Sequence, residues 1–415
     1  MTTVTVAGGN GETYRLNYSA QPSAAVNELS SVIRAQVLNI RQRVVPYHAG
    51  QKPTTPAGLA VFSGMHNAVS LGPTERIVLV TGEGPNTIAG SGATDQLVLS
   101  DDGDLTYFTG GGSGRIATGN GRNVIGSRDG TFNIATGAGD DTILALGGVV
   151  TATGGAGRNV MFTGTGRTNY KARGNDSVLG VGDVRGLGAD TIEVESNQSL
   201  RIAHNANALT FVNGGGSSTV YGGFGSAGTG SATVYGGKGG GIFQGGKLGG
   251  NMLIGQQGTV TLFGGGEGDV LRVEGAGTNL LAAGLGNETL IGAANSGGSY
   301  YFAGKAAEGR GANTRISAGN GADTVIAGTG NATVDAGLGA DLFVFVNDQA
   351  GGNVVIDNFR PGEGDRVLLV SYGEGETDQA LSGSRVIGGS VEITLSDKTR
   401  ITFTGLPSAS RDLFI

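Results

Sequence analysis

Four aspartates carry the chemistry this sequence can most readily do. Each follows a Gly-x-Gly-x pair and precedes an apolar residue: Asp141 (Gly137, Gly139, Ile143), Asp190 (Gly186, Gly188, Ile192), Asp323 (Gly319, Gly321, Val325) and Asp341 (Gly337, Gly339, Phe343). Carboxylates set among glycine turns are oxygen donors, and calcium takes six to eight oxygens at about 2.3–2.6 Å. Asp323 and Asp341 are 18 residues apart, so they form a pair of ligands if the chain stacks on itself at that period. Asn123 and Asn159 flank Asp141 at the same 18-residue spacing and offer amide oxygens without charge. Asp190 is an isolated match. At every one of these positions an aspartate that caps turn amides is the competing reading.

Other chemistry is scarce. The three histidines are His48, His66 and His204, and no His-Glu-x-x-His or Gly-x-Ser-x-Gly run accompanies them. Cysteine is absent, which excludes disulfides and thiolate metal sites. The glycine-alternating runs are followed neither by helices nor by Lys-Ser/Thr, which argues against phosphate binding. One charge-rich stretch, "YKARGNDSVLGVGDVRGLGADTIEVE", holds Lys171, Arg173, Asp176, Asp183, Arg185, Asp190, Glu193 and Glu195. Paired carboxylates there would serve a polysaccharide lyase or epimerase as acid and base. A solvated insertion is the plainer reading, because no tryptophan sugar platform exists anywhere in the chain.

A nonapeptide period positions these residues. Ten blocks of nine run from Gly92 to Val181. Eight consecutive blocks have glycine third, from Gly103 to Gly166. The seventh position is apolar throughout: Val98, Tyr107, Ile116, Ile125, Ile134, Ile143, Ala152, Met161, Tyr170 and Leu179. A short strand with one apolar side chain inward, then a glycine turn, explains both columns. Two blocks make one coil, and each coil needs its neighbours to bury its interior. The expected fold is all-β, a parallel β-roll or β-solenoid over residues 81–345. The period returns at 275–292 and 310–345, and the looser words of 212–266 ("STVYGG", "ATVYGG") read as irregular coils or a low-complexity linker. Fifth positions on one edge are Leu105, Asn123, Asp141, Asn159 and Ser177; on the other they are Gln96, Gly114, Phe132, Val150 and Thr168. The second edge has exchanged ligands for neutral packing. The small residues in the ninth position (Ser100, Thr109, Thr118, Ser127, Thr136) are read as flat outer flanks suited to lateral packing.

Both ends break the period. Residues 1–80 read as an N-terminal cap, with "TVTVA" as an edge strand and apolar residues Val26, Leu29, Ile33, Val37, Ile40 and Val44 marking an amphipathic helix over 22–45. Its expected role is to cover the open end of the coil, and the first seven residues are candidates for completing another copy's sheet. Residues 346–415 form a β-rich end region. A net charge of −7 without a basic stripe argues against nucleic acid, and no apolar run reaches 18 residues, so no membrane span is expected. The N-terminus shows no basic region followed by an apolar one, hence no cleaved signal is expected.

The four Gly-x-Gly-x-Asp-x-apolar runs resemble the nonapeptide of RTX, or hemolysin-type calcium-binding, proteins. Asp357-x-Phe359-x-Pro361-Gly362-x-x-Asp365-x-Val367-x-Leu369 is similar to the segment that follows the repeats in that family. The terminal Asp412-Leu413-Phe414-Ile415 resembles its type I secretion signal. The resemblance covers roughly residues 81–415 and leaves 1–80 unaccounted for. It implies export through an ABC-transporter channel to the extracellular space or bacterial cell surface, and calcium at a few sites, because most of the aspartate column is missing. The resulting expectation is a secreted structural protein that forms homo-oligomers or filaments: a matrix fibre, surface-layer or adhesin subunit. The alternatives are a solenoid lyase or epimerase and a calcium-gated module that binds surface polysaccharide.

Overall fold

Strands cover 47% of the chain, which has two α-helices and winds as a parallel β-solenoid of about 14 turns. This computed structural model describes all residues except 8–11, 40–43, 48–57, 65, 83, 181–187, 196, 205–207, 224–229, 293–296 and 307–311. It divides into two compact units, Met1–Asn207 and Ala208–Ile415.

In the first unit two parallel sheets face each other across the coil interior. In the first sheet Ile116 pairs with Ile134 and Ile134 with Ala152; in the second, Ile125 pairs with Ile143 and Ile143 with Met161. Partners are thus 18 residues apart, as the period predicts. Ile116, Ile125, Ile134 and Ile143 are at most 2% exposed, so the seventh column points inward. Strand side chains alternate with period two, so the fifth and ninth positions share that inward face. Ser100, Thr109, Thr118, Ser127 and Thr136 are accordingly buried in the interior, which corrects the expectation that they form an outer flank. The last block also slips. Asn159 stacks on Asp176, 17 residues on, which turns Val178 inward and leaves Leu179 exposed.

Glycine holds the corners because backbone meets backbone there. A Cβ on Gly139 would lie 2.1 Å from the Gly121 carbonyl oxygen, and one on Gly155 only 1.5 Å from that of Gly137.

The N-terminal segment lies on the flank of the first sheet rather than over the end of the coil. Strands Thr2–Ala7 and Thr13–Tyr18 pair antiparallel with each other, so the first strand has its partner within the chain. The helix runs Ala24–Asn39, with the Ser23 hydroxyl accepting from the Val26 amide. Val26, Leu29, Ile33 and Val37 bury one face of it. They pack with Val4, Val6 and Leu16 against Leu59, Val61, Ile77, Leu79, Leu97 and Leu99. Those six residues alternate with the inward ones, and strands such as "IVLV" are apolar on both faces because both are covered. The helix is shorter than expected: Val44–Tyr47 joins the first sheet beside Leu59–Ser63, as β-branched residues before Pro46 favour. Ile40 lies outside the described residues.

In the second unit the same two-sheet coil continues from Ala208–Val212 and Ser218–Tyr221 to Asn353–Asp357 and Arg366–Val370. The looser words of 212–266 are ordinary rungs, with Val234 paired to Leu253 and Phe243 to Leu262. The end region closes the first sheet with strands Ser390–Thr394 and Arg400–Phe403, the latter parallel to Asn353–Asp357. Phe359 stacks between Phe343 and Phe403 at ring distances of 5.6 and 4.6 Å. Leu413 is buried, and the Ile415 amide donates to the Val367 carbonyl at 3.0 Å.

Candidate functional site

The aspartate and asparagine columns lie inside the coil at its corners. In the first unit each side-chain oxygen accepts the backbone amide of the equivalent residue one coil earlier. Leu105 donates to Asn123 (3.2 Å), Asn123 to Asp141 (2.8 Å), Asp141 to Asn159 (3.0 Å) and Asn159 to Asp176 (2.9 Å). Asn123, Asp141, Asn159 and Asp176 are each 1% exposed. Asp176 therefore completes the column in place of Ser177, and the sequence reading missed it because the coil is one residue short. The signal was the adjacent "RGND".

The asparagines do more than accept. The Asn123 Nδ2 donates to the Gly121 carbonyl (2.8 Å), the Gly119 carbonyl (3.3 Å) and Asp141 Oδ1 (2.9 Å). Asn159 repeats this with Gly155 (3.1 Å) and Asp176 (3.0 Å), and Asn251 with Gly246 and Asp269, both at 2.8 Å. An amide N–H₂ group thus sits between turn carbonyls and the next carboxylate, where a cation would otherwise find its oxygens. Both ends of Asn123 and Asn159 are engaged. Burial pushes the Asp141 carboxyl up to about 6, against the opposing pull of the Asn123 and Thr136 hydrogen bonds.

The pair Asp323 and Asp341 does stack, with Asp365 beyond it. Ser299 donates to Asp323 Oδ1 (2.6 Å), Asp323 to Asp341 Oδ1 (2.9 Å) and Asp341 to Asp365 Oδ1 (2.9 Å). Asp365 Oδ2 takes the Arg360 amide at 2.7 Å. No asparagine intervenes here. Oδ2 of Asp323 and of Asp341 are buried without a hydrogen-bond partner. Burial, then the neighbouring carboxylate, raises both carboxyls to about 7. The donor chemistry fits calcium as far as it goes: hard oxygens, unpartnered, in a negatively charged stack. Among the described residues, no group of three or more His, Cys, Asp or Glu side chains is gathered closely enough to hold a metal ion on its own.

A third acid pair, which sequence reading passed over, joins Asp269 and Glu288 on successive coils. Gly265 donates to Asp269 Oδ2 (2.6 Å) and Gly284 to Glu288 Oε2 (2.5 Å), and Glu288 Oε1 is buried without a partner. Burial, then Asp269, pushes the Glu288 carboxyl up to about 8.

Asp190 stands on the opposite edge. Its Oδ1 accepts from the Thr168 amide and its Oδ2 lies 2.9 Å from His204 Nε2, both side chains buried. The rest of the charge-rich stretch is a solvated network on the outer face: Lys171 to Glu193 and Glu195 at 3.7 and 3.4 Å, and Arg173 to Glu195 at 2.6 Å. Asp183 and Arg185 lie outside the described residues, as do His48 and the side chain of His66. The one described member of the proposed lyase pair, Asp190, is thus closed off from any polymer.

The outer faces carry a pattern that the sequence reading did not use. In the first unit Phe108 folds over Gly126, whose Cβ would lie 2.5 Å from the ring, beside a groove of about 460 Å³ lined also by Leu144 and Leu146. In the second unit Tyr221, Ile242, Phe263, Tyr300 and Phe302 stand out from the second sheet. No protein-family model and no curated protein matches this chain.

Proposed function

We propose that the chain is a secreted structural protein, a self-associating subunit of an extracellular matrix fibre, surface layer or adhesin. The observation that carries this reading is where the chemistry-bearing residues go. The aspartates and asparagines are spent on backbone amides inside the coil, and the exterior is left with patterned flat sheets. The resemblance of the repeats and of Asp412–Ile415 to type I-secreted RTX proteins supports an extracellular or cell-surface location, reached through an ABC transporter.

Calcium has a limited part in this reading. Asp323 and Asp341 would hold it through their unpartnered Oδ2 atoms, and it would supply charge neutralisation to a buried acidic stack. Asn123 and Asn159 instead satisfy their own turns, which supports a coil that stands mostly without metal.

Electron microscopy of the purified protein, with calcium and then with chelator, tests the proposal. Fibres or sheets that persist in chelator are the expected result. Dispersed particles under both conditions would overturn it.

A further inference from the structure

We propose that the outer face of the second sheet in the second unit, from Ser218–Tyr221 to Leu342–Val346, is a surface on which two copies of this chain pack face to face. The inference rests on the self-association reading above and names its contact.

Seven strands make this face: Ser218–Tyr221, Gly241–Gln244, Val260–Phe263, Leu280–Ala282, Tyr300–Phe302, Thr324–Ile326 and Leu342–Val346. Their inward residues, such as Val220, Phe243, Leu262 and Tyr301, are fully buried, so period two sends the intervening ones out. Tyr221, Ile242, Phe263, Tyr300 and Phe302 are 42, 41, 38, 47 and 38% exposed. Scattered single apolar residues on a surface need no explanation, but a contiguous row does.

Charge singles this face out. From Thr219 to Val344 none of its outward positions is charged, whereas the first sheet of the same unit shows Arg272, Arg315, Asp335 and Asp357 on its outside. An uncharged face meeting its own copy desolvates no ion. It offers nothing to pair with an acidic glycan or a charged protein, and that makes a second copy the better occupant.

Relief and area agree. Tyr221 and Phe263 share one row with Gln244 between them, while Ile242 stands in the other row, so large and small side chains alternate in both directions. Such a surface leaves notches for the knobs of a facing sheet at the ~10 Å separation of packed sheets. With aromatic side chains of about 150–250 Å² roughly two-fifths exposed, the face offers on the order of 600 Å² per copy. A pair then buries about 1,200 Å², the lower bound of a standard specific interface, through an isologous two-fold contact.

The chain has no cysteine, which makes the test direct. Gln244→Cys places one thiol in the face and Thr333→Cys places one on the opposite sheet. Under mild oxidation the first variant is expected to cross-link between copies and the second is not. Sedimentation up to about 100 μM should show a concentration-dependent dimer, and Phe263→Asp with Tyr300→Asp should weaken it at least tenfold. Circular dichroism melts establish that the variant is folded; the cross-linking result stands without it. A wild type that assembles while Gln244→Cys fails to cross-link overturns this face and leaves self-association intact. A wild type that stays monomeric overturns both. Protection of Tyr fluorescence by a neutral oligosaccharide, in a protein that does not dimerise, would replace the second copy with a glycan and also overturn the proposal.

Discussion

Asn123 shows at the residue scale why so few aspartates remain in the repeat. Its amide donates to two turn carbonyls and to Asp141, and its own oxygen takes the Leu105 amide. One neutral side chain therefore satisfies a corner that two carboxylates would leave negatively charged. Replacing it by aspartate removes the N–H₂ donors and stacks like charges. Asn123→Asp should cost about 2–3 kcal/mol in chelator, measured by denaturant unfolding. Recovery of that loss on adding calcium would show the amide standing in for a cation. Glu288 gives the pH dependence. Its carboxyl, ordinarily near 4.5, is raised to about 8 chiefly by burial and then by Asp269. The folded chain thus holds a proton that the unfolded chain releases. The resulting stability is fully present below about pH 4.5 and is lost as pH rises through about 8. Glu288→Gln should flatten the unfolding profile over that window and be more stable than wild type at pH 9 by roughly 2 kcal/mol. The stacking of Asp323 on Asp341 was legible from the 18-residue spacing. The role of the amides was not, because sequence spacing brings residues together without saying which atom points where.

The seventh column is the clearest case of an element read correctly, and the ninth the clearest misreading. Both follow from period two, which sends positions five, seven and nine the same way. Small polar residues such as Thr118 look like surface, yet the corner of a narrow coil has room inside for nothing larger. The inward isoleucines hold adjacent rungs together, so Ile134→Ala should cost about 2–4 kcal/mol in the first unit. Gly155→Ala should cost more, because its Cβ would collide with the Gly137 carbonyl at a distance no side-chain rotation relieves. Equilibrium unfolding of the two variants side by side checks the order. The N-terminal helix was legible from its apolar steps, and its place was not. Only the outward leucines at 79, 97 and 99 reveal that a flank needs covering. Removal of residues 1–39 should expose that flank and cause aggregation, seen by light scattering, with the coil's circular dichroism retained.

For the molecule as a whole, the asparagine corners predict indifference to metal. Chelation should move the melting midpoint of the whole chain by no more than a few degrees, with any shift assigned to Asp323 and Asp341 by its loss in Asp323→Asn. Nor are the rungs of equal length. Partners lie 17 residues apart at Asn159 and Asp176, 18 at Ile316 and Val334, and 26 at Leu290 and Ile316. Surplus residues leave at the corners while the paired strands keep their alignment. Length change is therefore cheap at a bend, where closing a few extra residues costs a fraction of a kcal/mol, and ruinous within a strand, where one inserted residue turns the rung inside out. Foreign peptides grafted at a bend should be carried as passengers, making the coil a ruler along which insertions can be displayed at intervals of about 4.8 Å.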